Sequence, residues 1–160
     1  MPTPPETESF ALSFQASEGA ARDGIRAVAS ALRWRGLSGD RAGDVELALA
    51  EAINNVVEHA YAGLAPGQVH VTCWLGGGRL DILISDNGHA MPGGRLPEGT
   101  AAKLENAIED LPEGGFGWFL IRQLATEIRY ERCSGLNRLS LMFDLPRGRG
   151  NGTELRDKGG

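Results

Sequence analysis

Long apolar runs are missing from this chain. No window reaches the ~18 consecutive apolar residues of a membrane-spanning helix, so no membrane role is expected. Cysteine is scarce: Cys73 and Cys133 are too few for a disulfide framework and lack the spacing of a metal-binding set, so both read as ordinary reduced thiols. Basic charge is also in deficit. Sixteen Lys and Arg face 21 Asp and Glu, a formal net charge of −5, which argues against the basic patch or stripe of a nucleic-acid-binding protein. The opening residues Met1–Glu8 have neither the basic n-region nor the apolar h-region of a secretory leader, which makes a cytoplasmic location the expectation.

What is present suits one domain: 160 residues, 41% of them hydrophobic. Residues 1–8 carry Pro2, Pro4 and Pro5 and read as a loose arm. Residues 147–160 are glycine-rich, charged and almost free of apolar groups, so they cannot offset their ordering entropy and read as a second flexible tail. The folded body is residues 9–146. Within it, Phe10–Phe14 alternates as a strand, and Ala20–Trp34 has helical spacing. Ser38 is placed to cap a second helix running to Tyr61. Strands are expected over Val69–Leu75, Leu80–Ser85, Glu127–Cys133 and Leu136–Leu145, and a glycine-started helix over Gly117–Ala125. Residues 89–114, with a helical patch at Ala101–Asp110, form the kind of long loop that is usually a functional lid or disordered. The order predicts a layer of helices on a sheet.

On the second helix Val45, Ala48, Leu49, Ala52, Ile53, Val56 and Ala60 share one broad face. Beside it runs a narrow stripe of Asp44, Glu51, Asn55 and Glu58, with Glu51 and Asn55 one turn apart at i and i+4. Such a stripe can be simply a solvated margin. In chemical terms, the amide oxygen of Asn55 is a hard donor suited to Mg²⁺, and a carboxylate one turn away can accept a proton from a nucleophile held near that ion.

Two glycine motifs follow. Asp86-Asn-Gly88 ends an apolar strand and is a good turn; it also fixes a carboxylate where an exocyclic amine such as adenine's can donate to it, with Gly88 allowing close approach. Gly115-Phe116-Gly117 stands immediately before an apolar helix, whose free N–H groups and positive dipole end form a phosphate site. No Gly-Lys-Ser/Thr follows, so this is not a Walker A loop, and the third glycine of a dinucleotide fingerprint is missing.

In order and spacing these pieces resemble the GHKL (Bergerat-fold) ATP-binding family of gyrase, Hsp90, histidine kinases and MutL. Glu51-Ala-Ile-Asn-Asn55 through His59-Ala-Tyr61 resembles its N box, Asp86-Asn-Gly88 the first glycine box, and Gly115-Phe-Gly117 the second. Glu46 through Glu51 and Gly117-Trp-Phe-Leu-Ile-Arg122 are similar to the anti-sigma factor serine kinase branch. The resemblance covers residues 9–146. It implies an α/β sandwich, a mixed and mostly antiparallel sheet with helices packed on one face, binding ATP and Mg²⁺ under a mobile lid. Position by position it makes Glu51 the general base, Asn55 the Mg²⁺ ligand and Asp86 the adenine acceptor. Gly88 would shape the pocket, and Gly115, Phe116 and Gly117 would meet the phosphates. Relatives often carry a basic residue just before the second glycine box; Glu113-Gly114 stands there instead, leaving Arg95 and Lys103 in the lid as candidates for the γ-phosphate.

The same resemblance implies a homodimer that binds a sigma factor or another effector and phosphorylates a serine on a STAS-type antagonist in bacterial partner switching. A nucleotide-responsive adaptor without phosphate transfer, and a simple ATPase or detached histidine-kinase catalytic domain, are the competing accounts. Among smaller signals, His59 reads as a residue packing near the site, while His70 and His89 are isolated and suggest no metal site. Trp34, Trp74 and Trp118 read as core or edge anchors. Phe10 and Phe14 lie on a strand whose edge can pair with a second subunit.

Overall fold

The computed structural model describes residues 7–97 and 115–145. Along the chain follow β1 (Glu8–Gln15), α1 (Glu18–Trp34), α2 (Gly39–Asn55), β2 (Gln68–Gly76), β3 (Arg79–Asp86), α3 (Gly115–Leu124), β4 (Glu127–Cys133) and β5 (Leu136–Asp144). The strands form one five-stranded sheet in the order β1-β2-β3-β5-β4. Every described ladder is antiparallel.

Period-two alternation decides which face is covered. Val71 pairs with Ile84 and Cys73 with Ile82 across β2 and β3, and Ile82 with Leu141 and Leu80 with Phe143 across β3 and β5. All of these are buried. Onto them α1 packs Ile25, Val28 and Leu32, α2 packs Val45, Leu49 and Ile53, and α3 packs Trp118 and Ile121. Each large side chain so buried contributes ~1.5–3 kcal/mol. Cys73 belongs to this core, where burial pushes its thiol up to about 12, so it stays neutral and unreactive.

Local chemistry sets the element ends. Ser17 and Ser38 cap α1 and α2 by accepting from the Ala20 and Arg41 backbone N–H groups at 3.4 and 3.3 Å. The β2–β3 turn has positive φ at both Gly77 and Gly78, the twist that a two-residue hairpin favours.

Two features depart from the sequence pattern. The second helix does not run regularly to Tyr61; α2 ends at Asn55 and a π-helical turn, Val56–Ala60, follows. This widened turn lies beside the site, as such turns often do. The expectation that all three tryptophans are anchors is corrected by Trp34, which is 84% exposed against 3% for Trp118. Trp34 falls two residues past Leu32, about 200° around α1 from the buried stripe. The expected arm as far as residue 6, the lid from residue 98 onward with its patch at Ala101–Asp110, Lys103, Glu113, and the tail 147–160 lie outside the described residues.

Candidate functional site

Between α2, the π turn and the ends of β3, β4 and β5 lies a cavity of about 510 Å³. Asn55 and Asp86, 31 residues apart in sequence numbering (86 − 55), both line it, with Met91, Trp118, Tyr130 and Asn137 among the other walls. Asn55 stands at the last turn of α2, next to the buried Ala52, Ile53 and Val56, which hold its backbone at the core margin. Its Nδ2 is buried and has no partner among the described residues. An orphaned buried amide is costly unless a ligand completes it. A phosphate oxygen would accept from Nδ2, and turning the amide over presents Oδ1 to a cation in the same place. The described residues contain no group of three or more His, Cys, Asp or Glu able to hold a metal ion. Among the described residues, Asn55 would hold a Mg²⁺ ion here, with water and nucleotide phosphates completing its shell, an arrangement that Mg²⁺ commonly adopts.

Glu51 lies one turn earlier and is half-buried, outside the cavity lining. Its carboxylate faces the start of α3 instead: a Cβ at Gly117 would come 2.6 Å from Glu51 Oε2. Glycine at this position thus leaves room for the acid beside the first turn of α3. Gly115 and Phe116 open the same helix. Arg95 is exposed and does not line the cavity, although its neighbours Pro92 and Pro97 do.

Asp86 is 3% exposed, and one of its oxygens is firmly held. Oδ1 accepts from the Gly88 N–H at 2.9 Å and from Asn137 Nδ2 at 2.9 Å. Gly88 has a packing reason to be glycine, since a Cβ there would lie 2.4 Å from the Ala60 carbonyl oxygen. The Asp-Asn-Gly turn is thus pressed against the π turn. Tyr61 fastens the other side, accepting from the Asn87 N–H and donating to the Gln68 carbonyl, each at 3.2 Å. Burial, reinforced by the nearby Asp86 charge, raises the Tyr61 phenol above its ordinary range despite the opposing Asn87 bond, which keeps it a donor.

Tyr61, Tyr130, Arg132 and Asn137 are site residues to which the motifs assign no role. Asn137 had a signal. It shares strand parity with Leu139, Leu141 and Phe143, so a polar group was being aimed into the covered face. His59 lines the cavity, whereas His70 bonds Ser13 on the open sheet face and His89 bonds the Ala62 carbonyl.

An antiparallel sheet covered by helices on one face, with a polar-ended cavity between the second helix and the central strands, is the layout of a nucleotide-binding ATPase-type domain. The chain belongs to the histidine kinase-like ATPase domain family, whose model matches residues 14–143. It is similar to the serine-protein kinase RsbW of Oceanobacillus iheyensis, 30% identical over 119 residues, or 74% of this chain and 73% of that protein. The RsbW of Bacillus licheniformis is 32% identical over 102 residues, 63% of this chain and 64% of the relative. The fold is shared with the RsbU and RsbW domains of a Mycobacterium tuberculosis protein, at a TM-score of 0.61 and 21% identity over 86% of this chain and 32% of that one. It is shared also with the SiaB–SiaC complex of Pseudomonas aeruginosa, at 0.59 and 14% identity over 84% and 88%.

Proposed function

We propose that the protein is an ATP-dependent serine kinase and partner-sequestering regulator of the anti-sigma type, phosphorylating a serine on a STAS-type antagonist in bacterial partner switching. The observation that carries the reading is that Asn55 and Asp86 share one cavity while Glu51 stands one helical turn away against Gly117. The similarity to serine-protein kinases named RsbW supplies the reaction class.

In this account Asp86 accepts from the adenine amine and the first turn of α3 meets the phosphates. A serine hydroxyl of the docked protein attacks the γ-phosphorus in line. The new O–P bond forms as the bond to the β-phosphate oxygen breaks, ADP leaves, and the hydroxyl proton passes to the Glu51 carboxylate. A Mg²⁺ ion, when bound by Asn55 and the phosphates, neutralises developing charge. Positioning and electrostatics are the chief sources of rate in such transfers, so the distances among α2, α3 and β3 matter more than any reactive side chain.

Incubation with γ-labelled ATP, Mg²⁺ and a STAS-type protein is expected to move label to one serine, and not to its Ser→Ala variant. One observation favours a second reading, a nucleotide-responsive adaptor: among the described residues no Lys or Arg lines the cavity. Retention of the label on ATP while the partner still binds selects the adaptor.

The sequestered effector is a sigma factor or a similar regulator. The outer edge of β1 has no strand partner among the described residues, and pairing of two such edges would make the homodimer. Sedimentation equilibrium at micromolar protein is expected to return twice the chain mass; a monomer there removes the dimer.

A further inference from the structure

Resting on the ATP reading above, we infer that Asn137, locked by Arg132 and Tyr130, is the positioning residue that makes this cavity select a 6-amino purine over a 6-oxo purine. Asp86 and Asn137 are the buried polar residues of the described core, 3% and 5% exposed, and face each other across β3 and β5. The Asn137 amide is fully engaged. Nδ2 donates to Asp86 Oδ1 at 2.9 Å and to the His89 carbonyl at 2.8 Å. Oδ1 accepts from the Tyr130 hydroxyl at 2.6 Å and from Arg132 Nη1 at 2.9 Å.

Arginine carries only donors, and a carboxylate oxygen here serves as acceptor, so the amide has one permitted orientation. That matters because an unrestrained asparagine is ambivalent: turned one way it donates, turned the other it accepts. Free in this cavity, it would satisfy the oxo group of hypoxanthine or guanine as readily as an amine. Arg132 and Asp86 remove the choice. The amide donor is directed at Asp86 Oδ1, which also takes the Gly88 N–H. Asp86 Oδ2, with no partner among the described residues, is left as the acceptor for a base. It takes an amine and opposes a carbonyl, the repulsive element on which discrimination depends. Arg132 Nη1 also donates to the Gly88 carbonyl at 2.7 Å, so the same clamp holds the turn that carries the acid.

The test is calorimetric titration of the full chain with ATP, with inosine triphosphate (6-oxo) and with purine riboside triphosphate (no 6-substituent). The parent is expected to prefer ATP to the inosine nucleotide by roughly 10-fold or more. Asn137→Ala is expected to bring that ratio within about three-fold. Arg132→Met, at an exposed strand position, leaves the Tyr130 bond and is expected to narrow the ratio by about three-fold. Retention of the parent's ratio by a folded Asn137→Ala, or an equal loss for all three nucleotides, overturns the inference. If Asn137→Ala does not fold, an unchanged ratio in Arg132→Met overturns it. A parent that binds none of the three ends the ATP reading and this inference together, whereas a selective parent with selective variants ends only the inference.

Discussion

Replacing Glu51 by Ala is expected to lower the rate of phosphate transfer by roughly 10²–10⁴-fold while ATP affinity stays within a few-fold. The split follows from where the carboxylate sits. It lies beside Gly117 at the start of α3 and outside the cavity lining, so it contributes little to holding the base. In the proposed mechanism its work falls in the transition state, when the serine hydroxyl gives up its proton. Single-turnover transfer of labelled phosphate at saturating ATP separates this step from binding. Unchanged turnover would remove Glu51 from the mechanism. Gly117→Ala acts on the same group from the other side. Its added methyl meets the flexible end of Glu51 at 2.6 Å and not the backbone, so it displaces the acid without unfolding the chain.

The second large effect is on affinity. Asp86→Ala is expected to weaken ATP binding by roughly 10- to 150-fold, the range for losing a hydrogen bond that involves a charged group. It also strips the Gly88 N–H and the Asn137 amide of their acceptor in a buried setting. Leaving buried donors unpaired costs ~1–3 kcal/mol, so the variant melts earlier as well. Calorimetry and thermal denaturation on the same sample separate the two losses. An Asp86→Ala protein that keeps its fold and binds ATP as the parent does shows that the base does not lie on this acid.

The elements of the fold were largely legible because they are written locally. Alternation marks β2, β3 and β5, Ser38 marks the start of α2, and glycines in the turns, Gly77-Gly78 and Ser134-Gly135, mark the hairpins. The i, i+4 relation of Glu51 and Asn55 likewise needs only helical geometry. What escaped was non-local. Asp86 and Asn137 meet across 51 positions of sequence through strand register. No periodicity within β3 announces its partner on β5, and Arg132 and Tyr130 act through that same partner. The π turn escaped because one residue inserted into a helix leaves the apolar pattern almost unchanged. It nevertheless brings the Ala60 carbonyl against Gly88, which gives that glycine a packing role that the motif does not announce.

The central claim is that segments remote in sequence gather around one nucleotide. A crystal structure of the full chain grown with a non-hydrolysable ATP analogue and Mg²⁺ tests it most directly. The account predicts the base amine on Asp86 Oδ2, the ion within reach of the Asn55 amide and the phosphates at the first turn of α3, with Glu51 near the γ-position. A nucleotide seated elsewhere, or this cavity empty at saturating analogue, contradicts it.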